Sequence, residues 1–381
     1  MNESDENQSR RTDTMMPLEQ QRFGSPESAR STPPESARST PPESARSTPP
    51  ESARFTSPDM ARAHSVMMQI RDRIRQDVMG RDDVIELVLV ALFAGGHVLL
   101  EDYPGSGKTT LAKALGESIK IDASRTDLSD FRRLQFTPDL LPSDITGVMI
   151  FDPKSNQFHF RRGPLFAHVV LVDEINRTSP KVQAALLESM AESQVTVDNV
   201  SHQLDELFFV IATQNPLDSV GTYPLPVAQL DRFLFKIPMV HVSRSAELEV
   251  LEQWGQPRQI QTTDQVHRND VITARQWIRS HITVTSSIHE CLVDTARRIR
   301  EDARVAQGVS TRSLVQAIPA LQTLAVLRGR DYILPDDIQH LSGPLFSHRM
   351  TMVPGGGDPD IVVRDALQAP LDILVRSSLR R

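Results

Sequence analysis

The run Asp102-Tyr103-Pro104-Gly105-Ser106-Gly107-Lys108-Thr109-Thr110 is the stretch best equipped for chemistry. The small residues from Pro104 to Gly107 let backbone N–H groups curl around an anion, and a helix beginning at Lys108 adds its positive N-terminal end. Lys108 would reach the β- and γ-phosphates of a nucleotide, and Thr109, with Thr110 in the same turn, would place a hydroxyl on Mg²⁺. This is ATP-binding chemistry, with ATP and Mg²⁺ as the implied cofactors. Asp102 stands where the pattern expects its first glycine, a departure that removes no phosphate-touching group.

A second group lies in Val169-Val170-Leu171-Val172-Asp173-Glu174. An apolar strand ending in two carboxylates delivers both to the C-terminal edge of a sheet, where α/β proteins hold their ligands. Asp173 would hold Mg²⁺ through water, and Glu174 would polarise an attacking water. In isolation such a pair is more often a solvated loop; its position after a phosphate loop favours the functional reading. Ala212-Thr213-Gln214-Asn215-Pro216 closes another apolar run. An amide at that tip can orient water, since it both donates and accepts. Read locally, Asn215-Pro216 is more readily a turn start. Arg232 and Arg312 are unremarkable by themselves, because arginine is usually a surface residue. Either guanidinium could stabilise transition-state charge if aimed at a γ-phosphate.

These groups need a scaffold that brings strand tips together. His97-Val98-Leu99-Leu100-Glu101 reads as a short strand, and Leu111, Leu115 and Ile119 recur at helical spacing after the loop. Val169 to Val172 and Leu207 to Ala212 are continuous apolar runs, the mark of strands buried on both faces. Lys181 to Glu192 reads as a helix between them. Strands alternating with helices predict an α/β fold, a parallel sheet covered by helices. After Pro238 the apolar runs stop, and Trp277, Ile278, Ile282, Leu292, Ala296, Ile299 and Leu314 to Leu327 keep helical spacing, so this half is expected to be all-helical. Gly355-Gly356-Gly357-Asp358-Pro359 is expected to be a flexible break.

Composition narrows the partners. Formal charge is −7, from 42 basic and 49 acidic residues, which does not suggest a nucleic-acid-coating surface. The single cysteine, Cys291, excludes an intrachain disulfide and fits a reducing compartment; its place on a helical pattern reads as a buried thiol. No stretch approaches the ~20 apolar residues needed to cross a bilayer, and Met1 to Arg11 lacks a signal-peptide core, so a cytoplasmic location is the default expectation. Ser-Thr-Pro-Pro-Glu-Ser-Ala-Arg begins at Ser31, Ser39 and Ser47, with partial copies at Ser25 to Arg30 and Phe55 to Arg62. Such sequence cannot offset the entropy of ordering, so residues 1–63 are expected to be a disordered tail. His159, His168 and His202 are too scattered for a metal cluster and read as hairpin or surface positions. Met67-Met68 reads as helix packing.

Longer motifs make the sequence specific. Leu134-Gln135-Phe136-Thr137-Pro138-Asp139 to Gly147, Asp173-Glu174-Ile175-Asn176-Arg177, Gly221-Thr222-Tyr223-Pro224-Leu225-Pro226, Ala228 to Phe233, Arg328 to Tyr332 and Pro335-Asp336-Asp337 together resemble the MoxR family of AAA+ ATPases, relatives of the magnesium chelatase ATPase subunit. The resemblance spans about His64 to His348. It implies an AAA+ core (64–240), a linker (241–265), an all-helical lid (266–350) and a C-terminal extension (351–381), assembling as a hexameric ring. It makes Asn215 the first sensor, Arg232 the finger acting on a neighbour's ATP and Arg312 the lid sensor, and sets Val78, Met79 and Gly80 against adenine. Phe151 to Phe160 matches the family's inserted pore hairpin, and Gln194 to Leu207 a second hairpin. Val227 replaces a usual glutamate and Thr311 a usual proline; neither is a catalytic group. A remodelling ATPase acting on a protein client is implied, often with a von Willebrand factor A domain partner. A DNA motor, a small-molecule kinase and a nucleotide-gated scaffold are the alternatives.

Overall fold

The computed structural model describes residues 57–102, 106–120, 128–215, 221–252 and 265–378. The repeats before Ser57, Tyr103 to Gly105 of the loop, Pro216 and residues 253–264 of the expected linker lie outside the described residues.

Helix α1 (Pro58–Asp77) starts where the last partial repeat departs from the others. Ser57 stands where full copies carry proline, and its hydroxyl accepts the Met60 N–H at 3.1 Å, with Pro58 in the first turn. Met60 stands where they carry serine, and it is buried with Ala63, Met67, Ile70 and Ile74. The tail boundary expected at Ala63 therefore falls inside α1. Two substitutions in a repeat are enough to supply a cap and an apolar anchor.

α2 (Asp82–Ala94) is buried on nearly every side, Glu86 being its main polar interruption. The chain then runs β1 (Val98–Asp102), α3 (Lys108–Glu117), β2 (Ile119–Lys120), β3 (Ser129–Gln135), α4 (Pro142–Thr146), β4 (Gly147–Asp152), β5 (Gln157–Arg162), β6 (Ala167–Asp173) and α5 (Pro180–Glu192). There follow β7 (Gln194–Val197), β8 (Val200–Gln203), β9 (Phe209–Gln214), α6 (Val227–Leu230), β10 (Phe235–Met239) and α7 (Arg244–Glu252). The last of these stands within the expected linker.

Five of these strands make one parallel sheet in the order β10-β1-β9-β6-β3. Its faces are visible in the alternation. Val98, Leu100, Val169, Leu171, Phe209 and Ile211 point into one apolar cluster; Leu99, Val170, Val172, Val210 and Ala212 point into the other. Both faces are covered, so the central strands β1, β9 and β6 carry apolar runs of three or more residues. β3 is the exception: an edge strand with no fully buried residue, its Ser-Asp-Phe-Arg-Arg-Leu-Gln sequence gives no strand signal.

Two antiparallel hairpins leave the sheet. β4 pairs with β5, and β7 with β8 across Asp198 and Asn199, both in left-handed backbone. The neck of the first hairpin needs glycine: Gly147 has φ 109, and a Cβ there would lie 2.4 Å from the Arg161 carbonyl oxygen. Phe160 stacks on His202 with ring centroids 3.8 Å apart, joining the two hairpins. His168 is not a surface residue: it is fully buried in β6, its Nε2 3.5 Å from Asp205 Oδ1. Both faces of β6 are covered, so even its histidine is enclosed.

The second half contains β11 (Val266–His267), α8 (Arg268–His281), α9 (Ser286–Glu301), β12 (Val305–Gln307), α10 (Thr311–Leu327), α11 (Pro335–Phe346), β13 (Thr351–Met352) and α12 (Pro359–Ser378). It is mainly helical, with a short β12–β13 antiparallel pair and β11 adding to β2. Its apolar cluster is continuous with one face of the sheet, through α1 and α2. Cys291 is buried there, and burial pushes its thiol up to about 11. The motif residues Arg328 and Arg330 both pair with the buried Asp337 carboxylate, and Arg328 also reaches Glu86 of α2 at 2.9 Å. This motif fastens the turn between α10 and α11.

The glycine triplet is an ordered turn rather than a loose break. Val353 N–H donates to Arg304 O at 2.9 Å and Gly356 N–H to Val353 O at 2.8 Å. α12 beyond it buries Val362, Val363, Ala366, Leu367 and Leu374, apolar enough to anchor the segment. Among the described residues no helix is long and apolar enough to cross a membrane.

Candidate functional site

The strand order decides where the polar tips meet. β9 lies between β6 and β1, so the ends of β6 and β9 flank the loop that leaves β1. Register places Gln135 opposite Asp173 and Gln214 opposite Glu101, so all four share the C-terminal edge of the sheet. That edge is where α/β folds hold ligands.

Lys108 opens α3, with Gly107 at its N-cap in left-handed backbone. Its Nζ lies 3.9 Å from Asp173 Oδ1. Asp173 is 1% exposed, and its carboxylate is shared. Arg133 Nε donates to Oδ2 at 2.7 Å, and the Thr213 hydroxyl lies 3.4 Å from Oδ1. Thr213 thus stands between the two acids, because its oxygen accepts the Glu174 N–H at 3.0 Å.

Glu174 has φ 59 and ψ 53, left-handed backbone for a residue that is neither glycine nor asparagine. Such a conformation costs about 1–2 kcal/mol and persists only where surrounding bonds dictate it. Those bonds are present: its N–H on Thr213, its carbonyl on Arg177 N–H at 2.8 Å, and its Oε2 on Gln135 Nε2 at 2.9 Å and Arg177 Nε at 3.1 Å. The Glu174 side chain held this way is 27% exposed. Beside it, Gln214 donates to Glu101 Oε1 at 3.1 Å, and Lys236 pairs with the same oxygen at 2.5 Å. Asn215 follows directly on β9 at this edge, half-buried.

The segment before α2 approaches from the other side. Val78 is buried. Gly80 has φ 67, and a Cβ there would sit 2.4 Å from Ala246 Cβ of α7, so glycine is required on both counts. Arg81, buried, donates to the carbonyl oxygens of Val240 and, at 3.2 Å, Ser106. One guanidinium therefore links the 78–80 segment, the phosphate loop and the exit of β10.

The fold brings Lys108 beside Asp173, and Thr213 joins Asp173 to Glu174; Ser106, Gly107, Thr109 and Thr110 adjoin Lys108 in sequence, and Asn215 follows β9. Pro104 and Gly105 lie outside the described residues. Arg232 and Arg312 stand apart: among the described residues no hydrogen bond or ion pair joins either to the Asp173 cluster. Arg232 follows α6 with its Nε buried and without a hydrogen-bond partner, and Arg312 is exposed in the first turn of α10. Sequence reasoning missed Arg81, Arg133, Gln135 and Thr213. Thr213 carried a signal, since it opens a polar triplet at the end of an apolar run. Arg133 and Gln135 carried no strand signal, because β3 has no apolar run; Gln135 stood out only as part of the longer motif that begins at Leu134.

Known proteins match this arrangement. Residues 97–235 match the ATPase family associated with various cellular activities (AAA), and residues 297–367 match an AAA lid domain, which extends into α12. The uncharacterized protein YeaC of Bacillus subtilis is 43% identical over 321 residues, covering 83% of this chain and 98% of the relative. Chaperone MoxR1 of Mycobacterium tuberculosis is 35% identical over 320 residues, covering 77% of this chain and 79% of the relative. A solved structure of a candidate ATPase from Cytophaga hutchinsonii superposes with TM-score 0.73 at 33% identity, covering 81% of this chain and 96% of that one. With its parallel sheet, its phosphate-loop lysine beside a buried aspartate and its helical lid, the chain belongs to the MoxR family of AAA+ ATPases.

Proposed function

We propose that this protein hydrolyses ATP in a Mg²⁺-dependent reaction within a homo-oligomeric, hexameric ring, and that the cycle remodels a protein client, with a von Willebrand factor A domain protein as the expected partner. The observation that carries this is the Lys108–Asp173–Thr213–Glu174 cluster at the sheet edge, joined to a left-handed Glu174. Lys108 and the N–H groups at the start of α3 bind phosphate. The Asp173 carboxylate and Thr109 hydroxyl form an all-oxygen donor set, which suits a hard cation such as Mg²⁺. Bound there, the ion would neutralise charge developing on the phosphates. Glu174 orients and polarises the attacking water. Asn215 holds that water from the neighbouring strand, Val78 to Gly80 seat the adenine, and Arg312 senses the nucleotide from the lid. Among the described residues Arg232 has no partner in the cis cluster, which supports its acting on the ATP of an adjacent subunit.

The exposed tip of the β4–β5 hairpin is the surface offered to a client. Phe151 and Phe158 are 46% and 64% exposed, their rings 5.1 Å apart. Two exposed phenylalanines on a hairpin grip apolar side chains better than phosphate, which favours a polypeptide client over DNA.

Glu174→Gln decides between turnover and a nucleotide-gated scaffold. Because general-base catalysis contributes on the order of 10²–10⁴ in rate, the variant should lose at least about a hundredfold in kcat while still binding ATP. Equal turnover in both proteins would end the hydrolysis claim. Arg232→Ala should also be inactive, and mixing it with Lys108→Ala subunits should restore turnover. A mixture that stays inactive rejects catalysis across an interface.

A further inference from the structure

Arg232 lies on a turn between α6 and β10 that the second half of the chain fastens on both sides. On one side, the Asp231 carboxylate accepts from Ser313 Oγ at 3.0 Å and Ser310 Oγ at 3.4 Å, with Arg349 Nε at 3.5 Å. Ser310 caps α10, and Ser313 is fully buried in its first turn. The carboxylate therefore faces the positive end of a 17-residue helix. On the other side, Arg349 donates to Phe233 O at 2.8 Å and to Leu234 O at 3.4 Å, and His348 Nε2 donates to Phe233 O at 3.1 Å. Arg349 also donates to Gln316 Oε1 of α10 at 2.7 Å, which holds the guanidinium between helix and turn. It is 2% exposed. Burial lowers its pKa to about 10 against the pull of Asp231, so it stays charged at neutral pH.

We propose that Asp231 and Arg349 form a positioning clamp through which the lid of each subunit sets the Arg232 guanidinium presented to its neighbour; this rests on the reading of Arg232 as a trans-acting group. Arg312 stands between Ser310 and Ser313 on the same helical turn. Any pull of a subunit's own phosphates on Arg312 moves both hydroxyls against Asp231. The Asp231 side chain is only 17% exposed, and dropping its donors would leave a charge largely unsatisfied, so the turn follows the helix. The occupancy of one site is thereby transmitted to the finger serving the next. Asp231 and Arg349 touch no substrate; they act through Arg232.

The test uses mixed full-length subunits. Arg232→Ala subunits keep their own site, and Lys108→Ala subunits donate an intact finger, so the parent mixture restores turnover. Adding Asp231→Ala to the Lys108→Ala subunit should cut the restored kcat by about tenfold or more, while mixed-ring assembly and melting temperature stay at parent values. Full restoration would overturn the clamp. So would an Asp231→Ala single variant with unchanged kcat and weakened binding of a fluorescent ATP analogue, since that pattern marks a lid support only. If Asp231→Ala unfolds, Ser313→Ala in the same background decides. It removes one hydroxyl and leaves the Ser310 cap, and the restored kcat should then fall about threefold or more; full restoration again rejects the clamp. A parent mixture that fails to restore turnover rejects the trans-acting reading itself, and the clamp with it. That failure is distinguishable because Asp231 is intact in the parent pair.

Discussion

Glu174 keeps its carboxylate on a left-handed backbone because Thr213 accepts its N–H while also facing the Asp173 carboxylate. Thr213 is 1% exposed, so its hydroxyl has no water to substitute for it. Thr213→Val preserves shape and removes the oxygen. A buried donor left unpaired costs about 1–3 kcal/mol, so kcat should fall roughly tenfold with ATP affinity little changed. Steady-state kinetics beside a nucleotide titration checks this; an unchanged kcat would mean that Glu174 is held by its other partners alone. The acids themselves were legible in the sequence as two carboxylates closing an apolar run. The roles of their supports were not, because Arg133, Gln135 and Thr213 come from strands distant in sequence, and only the parallel register brings them to Asp173 and Glu174.

Elements were legible where local physics writes them. The strands buried on both faces carry apolar runs, and α3 follows a glycine-rich loop. The start of α1 is local as well, being a serine cap followed by proline. Ser57→Ala removes the acceptor for the Met60 N–H and should lower stability by about 1 kcal/mol, a shift of a few degrees in melting temperature. No shift would mean that the first turn contributes nothing to the packing of Met60. Elements without such marks escaped. β3 is a polar edge strand recognisable only through its pairing with β6. The glycine triplet suggested a break, and its order comes from Val353, whose N–H donates to Arg304 O, far away in sequence, and whose carbonyl accepts the Gly356 N–H. Motif residues can also be structural: Arg328 and Arg330 pair with the buried Asp337 at a helix turn, and among the described residues none of the three bonds to the phosphate loop.

At the scale of the molecule, one apolar cluster runs from the sheet through α1 and α2 into the C-terminal helices, so pH sensitivity of its buried histidines is felt globally. His97 immediately precedes β1, with Nδ1 accepting the Val210 N–H at 3.0 Å and Nε2 paired to Met190 O at 3.3 Å. Burial, with Arg275 nearby, lowers its pKa to about 4. His348 shifts the same way through burial and the adjacent Arg349 charge. A histidine lowered on folding leaves the unfolded chain holding more protons between pH 6.5 and 4. Stability is therefore full above the unfolded value and is lost as pH falls through that window. His97 alone should account for about 2 kcal/mol lost between pH 7.5 and 5. Urea midpoints at the two pH values test this. The His97→Gln protein, which can keep a donor and an acceptor, should show a shallower dependence; an equal slope would assign the loss to other groups.

The sequence by itself determined the phosphate loop, the paired acids, the α/β alternation and the helical second half. Each depends on residues adjacent in the chain, where backbone geometry and hydrophobic periodicity act directly. Tertiary structure decided what the strand order controls: which side chains share the Asp173 carboxylate, why Glu174 is bent, how Arg81 ties the loop to β10, and how Ser310, Ser313 and Arg349 reach the turn carrying Arg232. These contacts join residues separated by tens to more than a hundred positions. Only the packing of sheet against helices brings them within hydrogen-bonding distance.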